Sequence, residues 1–196
     1  MFPALEAYLA GLPDGLESFP THRAKASLIR TALGLHSFNP RQLDALPDRL
    51  RELATDPPTS NRWVLEVEHM AMSLALAEAH GWSDRDFAKF WYRMTKAMIN
   101  NVLYAGLLRA LSPKMLLRTA SLRWAVFHKG VTLQTKAAPA GLYATLSFPA
   151  GLVPPVCIGA YAQVLQAVVD ASGTPAAAFL VEMGPTKAVY LMSELD

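Results

Sequence analysis

Glu66 and His69 are three residues apart in a stretch that reads as helix, and this Glu-x-x-His step sets a carboxylate and an imidazole on one helical face. Di-iron helix bundles use such steps, but they need two of them plus two further glutamates. One step is present, so the residue-level reading of His69 is a buried or surface-edge histidine. His80 lies eleven residues beyond His69, about 16 Å along a helix, too far for both to bind one metal ion. Cys157 stands in Pro154-Pro155-Val156-Cys157-Ile158-Gly159, in the first turn of an expected helix. That position can activate a thiol, whereas the apolar face around it suits a small buried hydrophobe. His128 falls at the tip of an expected hairpin, where a histidine meets solvent or caps backbone groups. There is no Gly-x-Ser-x-Gly, P-loop, His-Glu-x-x-His or dinucleotide fingerprint. The expectation is a non-enzymatic protein with neither catalytic residues, metal nor cofactor. An enzyme pairing Cys157 with His69, His80 or His128 is the alternative.

A second constellation is apolar. Phe87, Phe90, Trp91, Met94 and Met98 recur on one helical face, followed by Tyr104, with Trp124 on a later element. Aromatic rings and flexible thioethers line pockets for apolar ligands, and they also make ordinary core. Periodicity alone leaves both readings open.

The elements that must position these residues change character along the chain. Through residue 118 the period is helical. Asn39-Pro40 opens a helix carrying Leu43, Leu46, Leu50 and Leu53, which Asp56-Pro57-Pro58 ends. Trp63, Val67, Met70, Ala71 and Leu74 form one face of the next helix, which Met72 and Leu76 make apolar almost all round, as in a central helix; Gly81 stops it. Ser83-Asp84-Arg85-Asp86 resembles a capping box ahead of the aromatic stripe, and Ser112-Pro113 starts a short helix with Met115 and Leu116. From Leu122 the period becomes two, predicting a strand over 122–127, a turn at His128-Lys129-Gly130 and a strand over 131–136. Leu142, Ala144, Leu146 and Phe148 line one face of a further strand. Pro154-Pro155 begins a helix that Gly173 caps, and strands over 177–183 and 187–192 flank Gly184-Pro185-Thr186. The predicted class is α+β: one domain, with a helical lobe over 1–118 and a lobe over 119–196 that is an antiparallel β-β-β-α-β-β sheet with a helix packed on it.

Composition bounds the function. Of 196 residues 52% are hydrophobic and 17% charged, against about 25% charged in an average soluble domain. This predicts apolar surface hidden in a pocket or against a partner, with a homodimer as the expected assembly. The net charge of +2 is spread along the chain, which speaks against nucleic acid. The single cysteine, the lack of a leader-like start and the lack of a spanning apolar run predict a cytoplasmic protein without membrane insertion.

Several strings resemble a paralogous family of similarly sized proteins abundant in myxobacteria, one with no agreed activity. They are Phe19-Pro20-Thr21, Leu46-Pro47 with Asp56-Pro57-Pro58, Trp63, Leu111-Ser112-Pro113 with Leu116-Leu117, Arg123 to Gly130, and Leu152-Val153-Pro154-Pro155. The plan of helices followed by β-β-α-β-β is in turn similar to vinyl-4-reductase, TRAPP-subunit and haem-nitric-oxide-binding domains. That resemblance implies a sensor or interaction module. The haem-binding branch carries a Tyr-x-Ser-x-Arg motif, matched here only in part by Tyr143-Ala144-Thr145-Leu146-Ser147, in which Ser147 stands at the arginine position. The arginine that would pair a propionate is missing, so no haem is expected. The leading expectation is a sensor-like module binding a small apolar ligand, a protein partner or both; a ligand-free oligomeric scaffold is the other non-enzymatic alternative.

Overall fold

The sequence spreads apolar residues over most of a helical circumference between residues 66 and 76, and the structure folds around that segment. The computed structural model describes residues 1–100, 120–173 and 175–194. Helix α5 (Glu66–Ala79) is buried at every position from Glu66 to Leu76, as an apolar circumference requires. Around it stand α1 (Pro3–Ala10), α2 (Ala26–Leu35), α3 (Pro40–Asp44) and α4 (Asp48–Thr55). The predicted helix from Asn39 is in fact two. Pro47, which lacks an amide hydrogen, ends the first and precedes the second. Asn39 accepts from the Gln42 amide, closing a capping box.

Two strand-to-helix junctions organise this half. Strands β1 (Arg23–Lys25) and β2 (Trp63–Leu65) pair antiparallel and run directly into α2 and α5. Trp63 therefore belongs to a strand and does not open the helix as the spacing suggested. The junctions satisfy one another: the Ala26 amide donates to the Arg62 carbonyl and the Glu66 amide to the His22 carbonyl. Backbone from the neighbouring strand thus occupies first-turn donors that a capping side chain would otherwise take. Strand β3 (His128–Lys129) adds to the other edge of β1, with His128 opposite Ala24.

Helix α6 (Asp84–Ile99) starts at Ser83, whose hydroxyl accepts from the Asp86 amide. Its stripe Phe87, Phe90, Trp91 and Met94 is buried and faces α8 (Pro155–Ser172). Helix α8 is capped by Gly173 in the left-handed region and lies between α6 and a four-stranded antiparallel sheet. That sheet comprises β4 (Thr132–Ala138), β5 (Gly141–Ser147), β6 (Ala176–Met183) and β7 (Lys187–Glu194), in the order β4-β5-β7-β6. Ala144, Leu146, Ala188, Tyr190 and Met192 are its buried residues in the two central strands. Gln166 of α8 ties the sheet edge by accepting from the Ala178 amide and donating to the Ala176 carbonyl.

Residues 122–127 are helical, as α7 (Ala120–Phe127), where the alternation predicted a strand. The half-buried Trp124 and Phe127 are one turn apart, whereas Leu122 is 71% exposed. Six residues are too few to separate a period of two from one of 3.6 when both faces carry apolar groups. The architecture is accordingly α+β with eight α-helices and two antiparallel sheets among the described residues. The predicted short helix at Ser112-Pro113 lies outside them.

Candidate functional site

Glu66 is the first residue of α5, so its carboxylate sits at a helix N-terminus, where the dipole favours negative charge. It is completely buried. Two imidazoles converge on it. His69 Nδ1, one turn along the same helix, lies 3.3 Å from Oε1, and His128 Nδ1, from β3, lies 3.2 Å from Oε1 and 3.0 Å from Oε2. An ionised carboxylate only accepts, so both Nδ1 atoms carry the hydrogen and donate. Burial by itself would raise the Glu66 carboxyl. The charge and hydrogen bond of His128, joined by those of His69, outweigh it and hold the carboxyl well below the usual carboxylate range.

The two histidines are also the ends of a chain of rings. His128 stacks on Trp124 of α7, with centroids 4.0 Å apart and planes 14° from parallel. Trp124 meets Tyr161 of α8 edge-on at 5.4 Å, Tyr161 meets Trp91 of α6 at 4.9 Å, and Trp91 meets His69 at 5.6 Å. His69 and His128 are 6.2 Å apart. Five rings from five elements therefore form a closed circuit bridged by Glu66.

Three successive members of that circuit hold polar atoms that are buried and have no partner among the described residues: His69 Nε2, Trp91 Nε1 and Tyr161 Oη. Such atoms cost about 1–3 kcal/mol each. Burial, with the nearby Glu66 charge, also pushes the Tyr161 hydroxyl far above the usual phenol range. Beside Tyr161 is a wholly apolar void of about 10 Å³, walled by Trp124, Leu133, Leu146, Tyr161, Val164, Leu165 and Tyr190. That is about the room one water needs.

The expected pocket residues divide. Phe87, Phe90, Trp91 and Met94 are buried against α8 and the core, and Met98 packs at its margin. Tyr104 lies outside the described residues. Trp124 alone of the seven walls the void. His128, read as a solvent-facing turn residue, is instead buried and hydrogen-bonded to Glu66. The misread strand over 122–127 is the reason: as helix, Trp124 and His128 are one turn apart, and that spacing was the available signal. Glu66 and Tyr161 were not singled out as site residues. Cys157 is fully buried, and burial, with the Glu66 charge, drives its thiol up and away from the reactive thiolate. His80 instead stacks on Trp82 near the surface, 5.0 Å from His36.

Among the described residues no three His, Cys, Asp or Glu side chains form a group able to hold a metal ion. The void beside Tyr161 is far too small for a haem, since ligand sites of that order run to about 300 Å³ or more. Tyr143, Thr145 and Ser147 alternate along β5 with the buried Ala144 and Leu146 and so lie on the other face of the sheet. The arrangement makes one buried carboxylate the shared acceptor of two imidazole N–H groups.

Solved structures of the same fold are H-NOX domains. A point mutant of the Fe(II) unliganded H-NOX protein from K. algicida matches with a TM-score of 0.58 and 13% identity, over 88% of this chain and 97% of that one. The Cs H-NOX bearing 4-cyano-L-phenylalanine at one site matches at 0.50 and 11%, over 86% and 95%. An oxygen-binding H-NOX domain related to soluble guanylate cyclases, in its oxygen complex, matches at 0.50 and 10%, over 85% and 91%. At these identities the likeness is one of fold. No family model and no curated protein matches the sequence. Among the described residues no helix is long and apolar enough to cross a membrane.

Proposed function

We propose that this chain is a non-enzymatic, sensor-like cytoplasmic module that binds a small, largely apolar molecule between α7, α8 and the four-stranded sheet. Tyr161 carries the reading. Its hydroxyl is buried and has no partner among the described residues, and its ring helps to wall an apolar void, which puts an unused hydrogen-bonding group next to an apolar space of the kind small-molecule sites combine. The stripe Phe87, Phe90, Trp91, Met94 and Met98 backs the site through the contact of Trp91 with Tyr161. The like-folded domain described as oxygen-binding supports a small-ligand role. The test is titration of n-butanol, a small alcohol with one hydroxyl, followed by the resonances of α7 and α8. Saturable shifts around Tyr161 and Trp124 that weaken in Tyr161→Phe are expected. Shifts that never saturate, or that ignore Tyr161→Phe, would end the proposal.

A second reading, a homodimeric interaction subunit, draws on Phe179, Val181 and Met183. All three are more than half exposed on the edge strand β6. Light scattering across a dilution series decides it: a monomer at every concentration removes this reading.

A further inference from the structure

We propose that Glu66 is a positioning residue for the void: acting through His128 it fixes Trp124, the wall that must swing aside before anything larger than a water can enter. This rests on the binding reading above and assigns its regulation. Among the seven wall residues only Trp124 and Val164 keep appreciable exposure. Val164 belongs to α8, which is held between α6 and the sheet, so it cannot clear a path unless the helix moves. Trp124 can clear one by turning its own side chain. Among the described residues, contacts on three sides hold it: Nε1 donates to the Val131 carbonyl at 2.9 Å, the ring stacks on His128, and its edge meets Tyr161. A face-to-face stack persists only while the second ring keeps its plane. The His128 plane is set at one end by the strand pairing with Ala24 and at the other by Glu66, which accepts from Nδ1. Removing that acceptor leaves a buried N–H unpaired. The ring then turns to find a new partner, and the indole loses its support.

The consequence is an equilibrium between a closed and an open Trp124 that Glu66 biases toward closed. A ligand that binds only the open form gains apparent affinity when that bias is removed. Two readouts test it in the full chain: solvent exchange of the Trp124 indole N–H, assigned by its loss in Trp124→Phe, and the Kd for n-butanol. Glu66→Met, which keeps the bulk of the side chain and removes both acceptor oxygens, should speed the exchange and tighten n-butanol binding, each by about tenfold, the factor that one hydrogen bond of ordinary strength gives. If Glu66→Met does not fold, His128→Phe keeps a stacking ring without the bond to Glu66 and is read in the same way. Saturable n-butanol binding with both readouts at wild-type values in the folded variant would overturn the positioning role alone. Absence of saturable binding in wild type and in Trp124→Ala would overturn the site and its regulation together.

Discussion

His128 lies face to face on Trp124, four residues earlier in the chain, with ring centroids 4.0 Å apart. The stack joins the end of α7 to the start of β3. Because His128 also donates to Glu66, it transmits the state of a buried carboxylate at the head of the central helix to the wall of the void. The chemistry of Glu66 is therefore the first thing to measure.

The folded chain holds the Glu66 carboxyl below its ordinary value, so the unfolded chain takes up this proton more readily. A depressed carboxylate contributes stability above its unfolded value and loses it as the pH falls through the folded one. Glu66→Gln, which cannot ionise, should be less stable than wild type by about 1–3 kcal/mol near neutral pH. The gap should close between about 4.5 and about 2. Urea denaturation of both chains across that range gives the comparison. A gap that stays constant down to the acid end would show that Glu66 is held by packing and not by charge.

Tyr161→Phe has a different signature. The hydroxyl has no partner among the described residues, so deleting it removes a desolvation cost and no hydrogen bond. Stability should stay within about 1 kcal/mol of wild type or rise, while the n-butanol response weakens. A loss of several kcal/mol in urea denaturation would mean that the hydroxyl is bonded in the folded chain.

Much of this fold is legible in the sequence, and the omissions share a cause. The apolar circumference of α5, the Ser83 and Asn39 caps, the Gly173 cap and the strands around Gly184 are local patterns whose own residues decide them. Strands β1 and β2 have three residues each, shorter than any period that could announce them, and exist because they pair with one another. Residues 122–127 were ambiguous in isolation and are settled as helix by the packing of Trp124 on Tyr161. The site was illegible for the same reason: Glu66 and His128 are 62 positions apart, and only their approach makes either one unusual. The Glu66-to-His69 step is visible in the sequence as two groups on one helical face, but a single Glu-x-x-His step gives no hint of a second imidazole.

Cys157 should be inert in the native chain. Burial, with the Glu66 charge, drives its thiol upward, so at about pH 8, close to the usual thiol pKa of about 8.5, a disulfide reagent should react only after denaturant is added. Fast native labelling that levels off well below that pH would revive an enzyme built on Cys157.

Two glycines should respond to alanine with opposite signs. Gly141 opens β5 at a φ of +130°, and a Cβ there would collide with the Met192 carbonyl oxygen, a backbone atom fixed by the pairing of Leu142 with Met192. Neither a rotamer change nor a small shift relieves that contact, because the obstacle is the backbone of β7, one of the two central strands of the sheet. Gly141→Ala should cost about 2 kcal/mol or more through strain at a conformation that side chains avoid. Gly159 sits on an exposed position of α8, with helical backbone and open space where a Cβ would go. Gly159→Ala should therefore stabilise the chain by up to about 1 kcal/mol, the helix-propensity difference. Denaturant midpoints of the two variants measured side by side test the register of β5 against β7: equal effects would mean that Gly141 does not lie against Met192.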